Sequence, residues 1–136
     1  MKICFDTNII LDVLLERQPR HTAALALLTK VETGQIEGFL CPTTVTTIAN
    51  LIQKEKDTRT AKELIRHLLT LFDLTTINKH ACESALSTGI ADYEDAVLHE
   101  SARFSGMDAI VTRNTKDFQY AALTVYSPDE LAGIVW

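Results

Sequence analysis

Three short segments carry the acidic residues that could do chemistry. Asp6 directly follows the β-prone run Lys2–Phe5. Asp92, Glu94 and Asp95 open a helical run, and Asp117 lies a few residues behind the β-prone run Ala109–Thr112. Like charges gathered from distant segments destabilise a fold unless something offsets them. A hard divalent cation does so: Mg2+ or Mn2+ prefers oxygen ligands and is held by a few carboxylates while keeping several of its waters. The four histidines lie in separate segments with no HExxH arrangement, which argues against zinc.

Elements are needed to bring these carboxylates together. Lys2–Phe5, Glu37–Cys41, Leu74–Ile77, Ala109–Thr112 and Leu123–Tyr126 read as strands. Asn8–Leu15 reads as a short, densely apolar helix, and Glu16–Arg20 with Pro19 breaks it. His21–Thr33 is helical and closed by Gly34, and Pro42 opens a helix that runs to about Lys54. Thr58 is placed to cap a helix to Phe72, with Ala61, Leu64, Ile65, Leu68, Leu69 and Phe72 on one face. Asn78 caps Lys79–Thr88, which Gly89 stops, and Asp92 caps Tyr93–Ser105, which Gly106 closes. Thr115–Tyr120 holds a helical turn, and Ser127-Pro128 starts a last helix. This alternation predicts an α/β fold with a central parallel five-stranded sheet flanked by helices on both faces. Ligands of such folds bind at the carboxyl ends of the strands, near a switch in strand order, and the acids fall there.

The chain has 136 residues, which predicts one domain over 1–136. Its net charge of −5 argues against coating nucleic acid by bulk charge. It leaves room for an enzyme that touches RNA through a local patch and a metal ion. No apolar run approaches the roughly 20 residues of a membrane span. Met1-Lys2 leads into a short apolar run that stops at Asp6, so no secretory signal is expected. Cys4, Cys41 and Cys82 are odd in number and form no CxxC pair, which predicts reduced thiols and a cytoplasmic location. Mean hydropathy is +0.06, slightly apolar and consistent with an interface.

Three motifs carry a family resemblance. Phe5-Asp6-Thr7-Asn8-Ile9-Ile10-Leu11-Asp12, Asp92-Tyr93-Glu94-Asp95-Ala96 and Val111-Thr112-Arg113-Asn114-Thr115-Lys116-Asp117-Phe118 together resemble a PIN domain. Their order and spacing fit across essentially the whole chain. The resemblance implies a PIN-like three-layer fold and a metal-dependent endoribonuclease. Single-domain members are often VapC-like toxins of type II toxin–antitoxin pairs. It further implies one or two Mg2+ or Mn2+ ions on Asp6, Asp95 and Asp117, which are the expected catalytic residues. Asn8, Asp92 and Thr112 are expected to support them. The chain departs from the family at Asn50, where a glutamate is usual in the helix after the second strand, and at Asn114, where many members have aspartate. Both amides offer a neutral oxygen and lose a negative charge. The expected partners are RNA, an antitoxin and a second copy of the chain.

Each residue also has a plainer reading. Asp6, Asp92 and Asp95 can act as helix-capping acids, and Asp117 as a turn acid. Asn50 can hydrogen-bond in the core, and Thr112 can be a simple strand-end hydroxyl. Asp12 and Glu94 read as solvated or paired surface groups. The basic stretch from Lys54 to Arg66 reads as a solvated helix face, whereas Arg113 and Lys116 lie nearer the acids and are better placed to touch RNA phosphate. With two charges lost, the alternative is a catalytically weak domain that binds RNA or protein without turnover. A phosphorylation-controlled receiver domain fits poorly, because Asn78-Lys79 and Ser127-Pro128 stand where its phospho-acceptor and lysine belong.

Overall fold

A computed structural model describes residues 1–135. Its central strands are buried on both faces, as a parallel sheet requires. In β1 (Lys2–Phe5), Ile3 and Phe5 enter one apolar layer and Cys4 the other. The alternation repeats in β4 (Ala109–Val111), where Ala109 and Val111 face the first layer and Ile110 the second. With β2 (Glu37–Leu40), β3 (Asp73–Leu74) and β5 (Thr124–Tyr126) these form a parallel five-stranded sheet in the order β3-β2-β1-β4-β5.

The chain runs outward from β1 to β3 on one side, then returns to add β4 and β5 on the other. The order therefore switches between β1 and β4. Their register pairs Ile3 with Ala109, Cys4 with Ile110 and Phe5 with Val111, so Asp6 and Thr112 leave the sheet side by side. Two more bonds extend the ladders there, from Asp6 N to the Val111 carbonyl and from Thr112 N to the Tyr126 carbonyl, each 3.0 Å.

The Ile3 and Phe5 face is covered by α1 (Thr7–Leu14), α2 (His21–Glu32), α3 (Pro42–Glu55), α4 (Thr58–Leu71) and α7 (Pro128–Ile134). The Cys4 face is covered by α6 (Tyr93–Phe104) and a 3-10 turn at Ala85–Ser87, with α5 (Lys79–Ser84) packed on α6. A Cβ on Gly38 of β2 would stand 2.7 Å from the Phe72 ring and 2.9 Å from Val31 Cγ1. Only glycine lets the end of α4 lie so close to the sheet.

The expected fold class holds, with local shifts. Asp57, not Thr58, caps α4, because its carboxylate accepts from Thr60 N at 2.7 Å. The third strand ends at Leu74 and does not extend to Ile77; Thr76 N turns instead to Ser105 Oγ at 2.9 Å. The helix expected over Lys79–Thr88 gives way to the 3-10 turn after Ser84. The last helix opens with a capping box between Ser127 and Glu130. All three cysteines are free, and no described helix is long and apolar enough to cross a membrane.

Candidate active site

Asp6 stands at the switch point with its carboxylate held on both oxygens. One oxygen accepts from Thr7 N at 2.8 Å, and the other accepts from Thr112 Oγ at 2.8 Å and Asn8 Nδ2 at 3.2 Å. Thr112 Oγ in turn accepts from Asn114 N at 3.1 Å and Asn8 Nδ2 at 3.4 Å. Asp6 is thus both the cap of α1 and an acid held in one orientation. Burial pushes its carboxyl up from the usual range; the bonds from Thr112, Thr7 and Asn8 oppose that rise, and the nearby Asp117 adds to it.

A cavity of about 310 Å3 opens above Asp6. Four more acids line it: Asp92, Glu94 and Asp95 from the start of α6, and Asp117 from the 3-10 turn Thr115–Phe118. Asn8, Asn114, Thr7 and Thr47 add neutral oxygens, and Leu11 and Leu98 supply the apolar wall. No lysine or arginine lines it. Each acid has a local structural reason. Asp92 is the N-cap of α6 and accepts from Asp95 N at 2.9 Å. Asp117 is carried by a turn whose Phe118 is anchored in the second apolar layer. Asp95 carries the consequence of the crowding. Burial, then the charges of Asp6, Asp92, Asp117 and Glu94, push its carboxyl up to about 7.

The site brings together Asp6, Asn8, Asp92, Asp95, Asn114 and Asp117, with Thr112 directly behind Asp6. It does not include Asn50. The buried stripe of α3 is Thr44, Ile48 and Ile52, and Asn50 lies on the far side of that stripe, exposed. The α3 residue that reaches the cavity is Thr47, one turn earlier, whose Oγ donates to Glu94 Oε1 at 3.5 Å. Thr7 also ties this corner together, its hydroxyl 2.9 Å from that of Thr44.

Glu94 is exposed, as the sequence predicts, and also lines the cavity; Asp12 departs from the same expectation of a surface group. Asp12 is only 1% exposed, with Arg113 Nε 3.1 Å from its carboxylate. Arg113 is therefore drawn back toward α1, and its backbone N–H donates to Asn8 Oδ1 at 3.4 Å. Lys116 is exposed beside the site. The period of α3 could have singled out Thr47, and the position of Asp12 one turn after Asn8 could have placed it behind the site; neither had a chemical signature to draw attention.

The donor set suits a hard cation. Five carboxylates face one cavity without a counter-charge, and the amides and hydroxyls beside them are oxygen donors too. Among the described residues, no three Asp, Glu, His or Cys side chains stand close enough to enclose an ion by themselves. A wider oxygen set still matches Mg2+ or Mn2+, which takes few carboxylates directly and keeps its waters.

A parallel sheet of this order with an acidic cavity at its switch point defines a class, and sequence comparison specifies it. The sequence model of the PIN domain matches residues 2–116, and the chain belongs to the PIN domain family. Solved structures with the same fold include a toxin–antitoxin complex from Klebsiella pneumoniae, 22% identical with a TM-score of 0.71 over 93% of this chain and 97% of that one. VapBC2 from Rickettsia felis, bound to a DNA fragment from its promoter, is 14% identical with a TM-score of 0.69 over 93% and 98%. VapC20 from Mycobacterium tuberculosis, a toxin that cleaves the sarcin-ricin loop, is 13% identical with a TM-score of 0.64 over 90% and 98%. No curated protein sequence matches the chain significantly.

Proposed function

We propose that the chain is a divalent-metal-dependent endoribonuclease, the toxin of a toxin–antitoxin pair. The observation that carries this reading is the gathering of Asp6, Asp95 and Asp117 around one cavity with no basic residue among its lining. Membership of the PIN family and a fold shared with toxin–antitoxin proteins support it. They also support an antitoxin as partner, and a second copy of the chain is the other proposed partner.

Asp6, Asp95 and Asp117 would hold the ion, with Asn114 and Asp92 beside them. When bound, Mg2+ or Mn2+ supplies Lewis acidity toward the phosphate and a reactive water at neutral pH. The chain does the rest. Thr112 and Asn8 fix the rotamer of Asp6 before substrate arrives, so no reorganisation is needed there. The Asp92 carboxylate and the start of α6 fix the backbone of Asp95. Leu11 and Leu98 keep one wall dry, which strengthens charge interactions inside the cavity. Lys116, exposed beside the cavity, would meet RNA phosphate, whereas Arg113 is engaged by Asp12.

The test is cleavage of total RNA in Mn2+, with Asp6→Asn beside wild type. Wild type is expected to cut, EDTA to stop it, and Asp6→Asn to lose at least about a hundredfold in rate while keeping its fold by circular dichroism. Undiminished cutting by Asp6→Asn would exclude the site. Mn2+ binding without any cleavage would point to the binding-only alternative.

A further inference from the structure

A second cleft adjoins the acidic cavity and shares two lining residues with it, Thr47 and Glu94. It holds about 350 Å3 between the start of α3 and the start of α6. Its chemistry is the opposite of its neighbour's. Ile77 and Val97 make apolar walls, and Thr43, Thr46 and Thr47 offer hydroxyls from α3. Tyr93 stands at its side as the first residue of α6. The Tyr93 side chain is exposed, yet its hydroxyl donates to the Cys82 carbonyl at 2.8 Å, which holds the ring in one orientation. A clamped, exposed aromatic next to an apolar wall is a stacking platform. Glu94 is the one charged residue lining the cleft, and its sign disfavours a phosphate there and leaves room for an uncharged, planar group with polar edges. That description fits a nucleobase.

We infer that this cleft is a base-binding subsite, and that Tyr93 stacks on an unpaired base next to the phosphate held in the acidic cavity. The inference rests on the nuclease reading and deepens it: it assigns one named aromatic to one base beside the cut, and that base must be unstacked from its neighbours to enter the cleft. The Thr43 hydroxyl donates to Cys41 Sγ at 3.3 Å and the Thr46 hydroxyl to the Thr43 carbonyl at 3.0 Å, so both would meet a base edge as acceptors.

The test measures binding without relying on cleavage. A fluorescein-labelled single-stranded RNA octamer is titrated in Ca2+ buffer against wild type, Tyr93→Phe and Tyr93→Leu, with folding checked by circular dichroism. The titrations are repeated with octamers that carry one abasic ribose at each position in turn. Tyr93→Leu is expected to weaken binding about tenfold, whereas Tyr93→Phe, which keeps the ring but loses its bond to the Cys82 carbonyl, falls between Tyr93→Leu and wild type. One abasic position is expected to weaken wild type by a similar factor and to leave Tyr93→Leu unaffected. Undiminished binding by folded Tyr93→Leu overturns the inference and leaves the cleft to a protein side chain. Equal binding of every abasic octamer by wild type overturns it as well. If Mn2+-dependent cleavage survives either result, only the subsite falls; if wild type neither binds nor cuts RNA, the nuclease reading falls with it.

Discussion

Burial, and then the field of four other carboxylates, pushes the Asp95 carboxyl up to about 7 from an ordinary 3.8. The sign follows directly. The unfolded chain ionises Asp95 without penalty, whereas the folded, metal-free protein resists it. Above about 7 the full penalty is present, and it fades as the pH falls toward 3.8. Asp95→Asn removes the penalty. At pH 7.5 in EDTA the variant is expected to be more stable than wild type by about 1–2 kcal/mol, allowing for solvent screening of a partly exposed group. Thermal melts check this, and a lowered melting temperature would show that neither burial nor its neighbours penalise ionised Asp95. Cleavage by the same variant is expected to be lost. Asp6 differs from Asp95 in kind. It is the more buried of the two, but three hydrogen bonds hold its charge in one place.

At the scale of elements, the site depends on how α1 is joined to the segment after β4. Asp12 on α1 and Arg113 behind β4 form an ion pair across that seam, with the Asp12 carboxylate fully out of solvent. Asp12 Oδ1 and Arg113 Nε have no well-aligned hydrogen-bond partner, so the pair holds by charge more than by bonding geometry. Removing one buried partner strands the other and typically costs about 3–5 kcal/mol, whereas replacing both with apolar groups is often nearly neutral. Asp12→Ala is therefore expected to lower stability by about 3 kcal/mol or more, and the double variant Asp12→Leu/Arg113→Met to recover most of the loss. Urea denaturation measures both. A near-neutral Asp12→Ala would mean that the pair is not what joins these elements. Helix α3 makes a related point about register: a single turn separates Thr47 in the cavity from Asn50 in solvent.

At the scale of the whole molecule, the second layer is stitched by a charged cluster remote from the cavity. Glu100 is buried and accepts from Arg103 Nη2 at 2.9 Å, Arg103 Nε at 3.1 Å and Ser84 Oγ. His99 Nδ1 lies 2.8 Å from the same carboxylate, and its Nε2 accepts from Ala122 N and Leu123 N. This links α5, α6 and the approach to β5. The Arg103 bonds first, with the Ser84 and His99 bonds against a burial penalty, hold Glu100 down at about 2, and burial lowers His99 from its ordinary 6.5. Both signs point the same way. As the pH falls below 6.5 the unfolded chain takes up a proton that folded His99 refuses; between 4.5 and about 2 the contribution of ionised Glu100 is lost. Melting temperature is expected to fall steadily from pH 7 to pH 3 in the Asp95→Asn protein, where the opposing gain from Asp95 is absent. In that background, Arg103→Gln should flatten the acidic half of the curve. A flat profile without that substitution would mean that the cluster carries no stability.

Strand and helix order were legible because burial on both faces of a parallel sheet, and on one face of each helix, imposes a pattern on the chain itself. Gly34 and Gly106 follow the same rule, since both adopt the left-handed backbone that ends a helix. The motif acids were legible because they stand at element ends in one order: Asp6 directly after β1, Asp92 and Asp95 at the start of α6, and Asp117 in the turn after β4. Side-chain direction was not legible. Whether Asn50 or Thr47 enters the cavity depends on a rotation of α3 set by how Thr44, Ile48 and Ile52 seat on the sheet. The burial of Asp12 and the recruitment of Arg113 depend on a contact between residues a hundred positions apart, which no local pattern encodes. The same holds for the clamp on Tyr93, whose partner is a backbone carbonyl on another helix. Sequence by itself determined the order of the elements and put the acids at their ends; the packing of helices on the sheet decided which neutral groups share the cavity, because only three-dimensional contact fixes a helix's rotation.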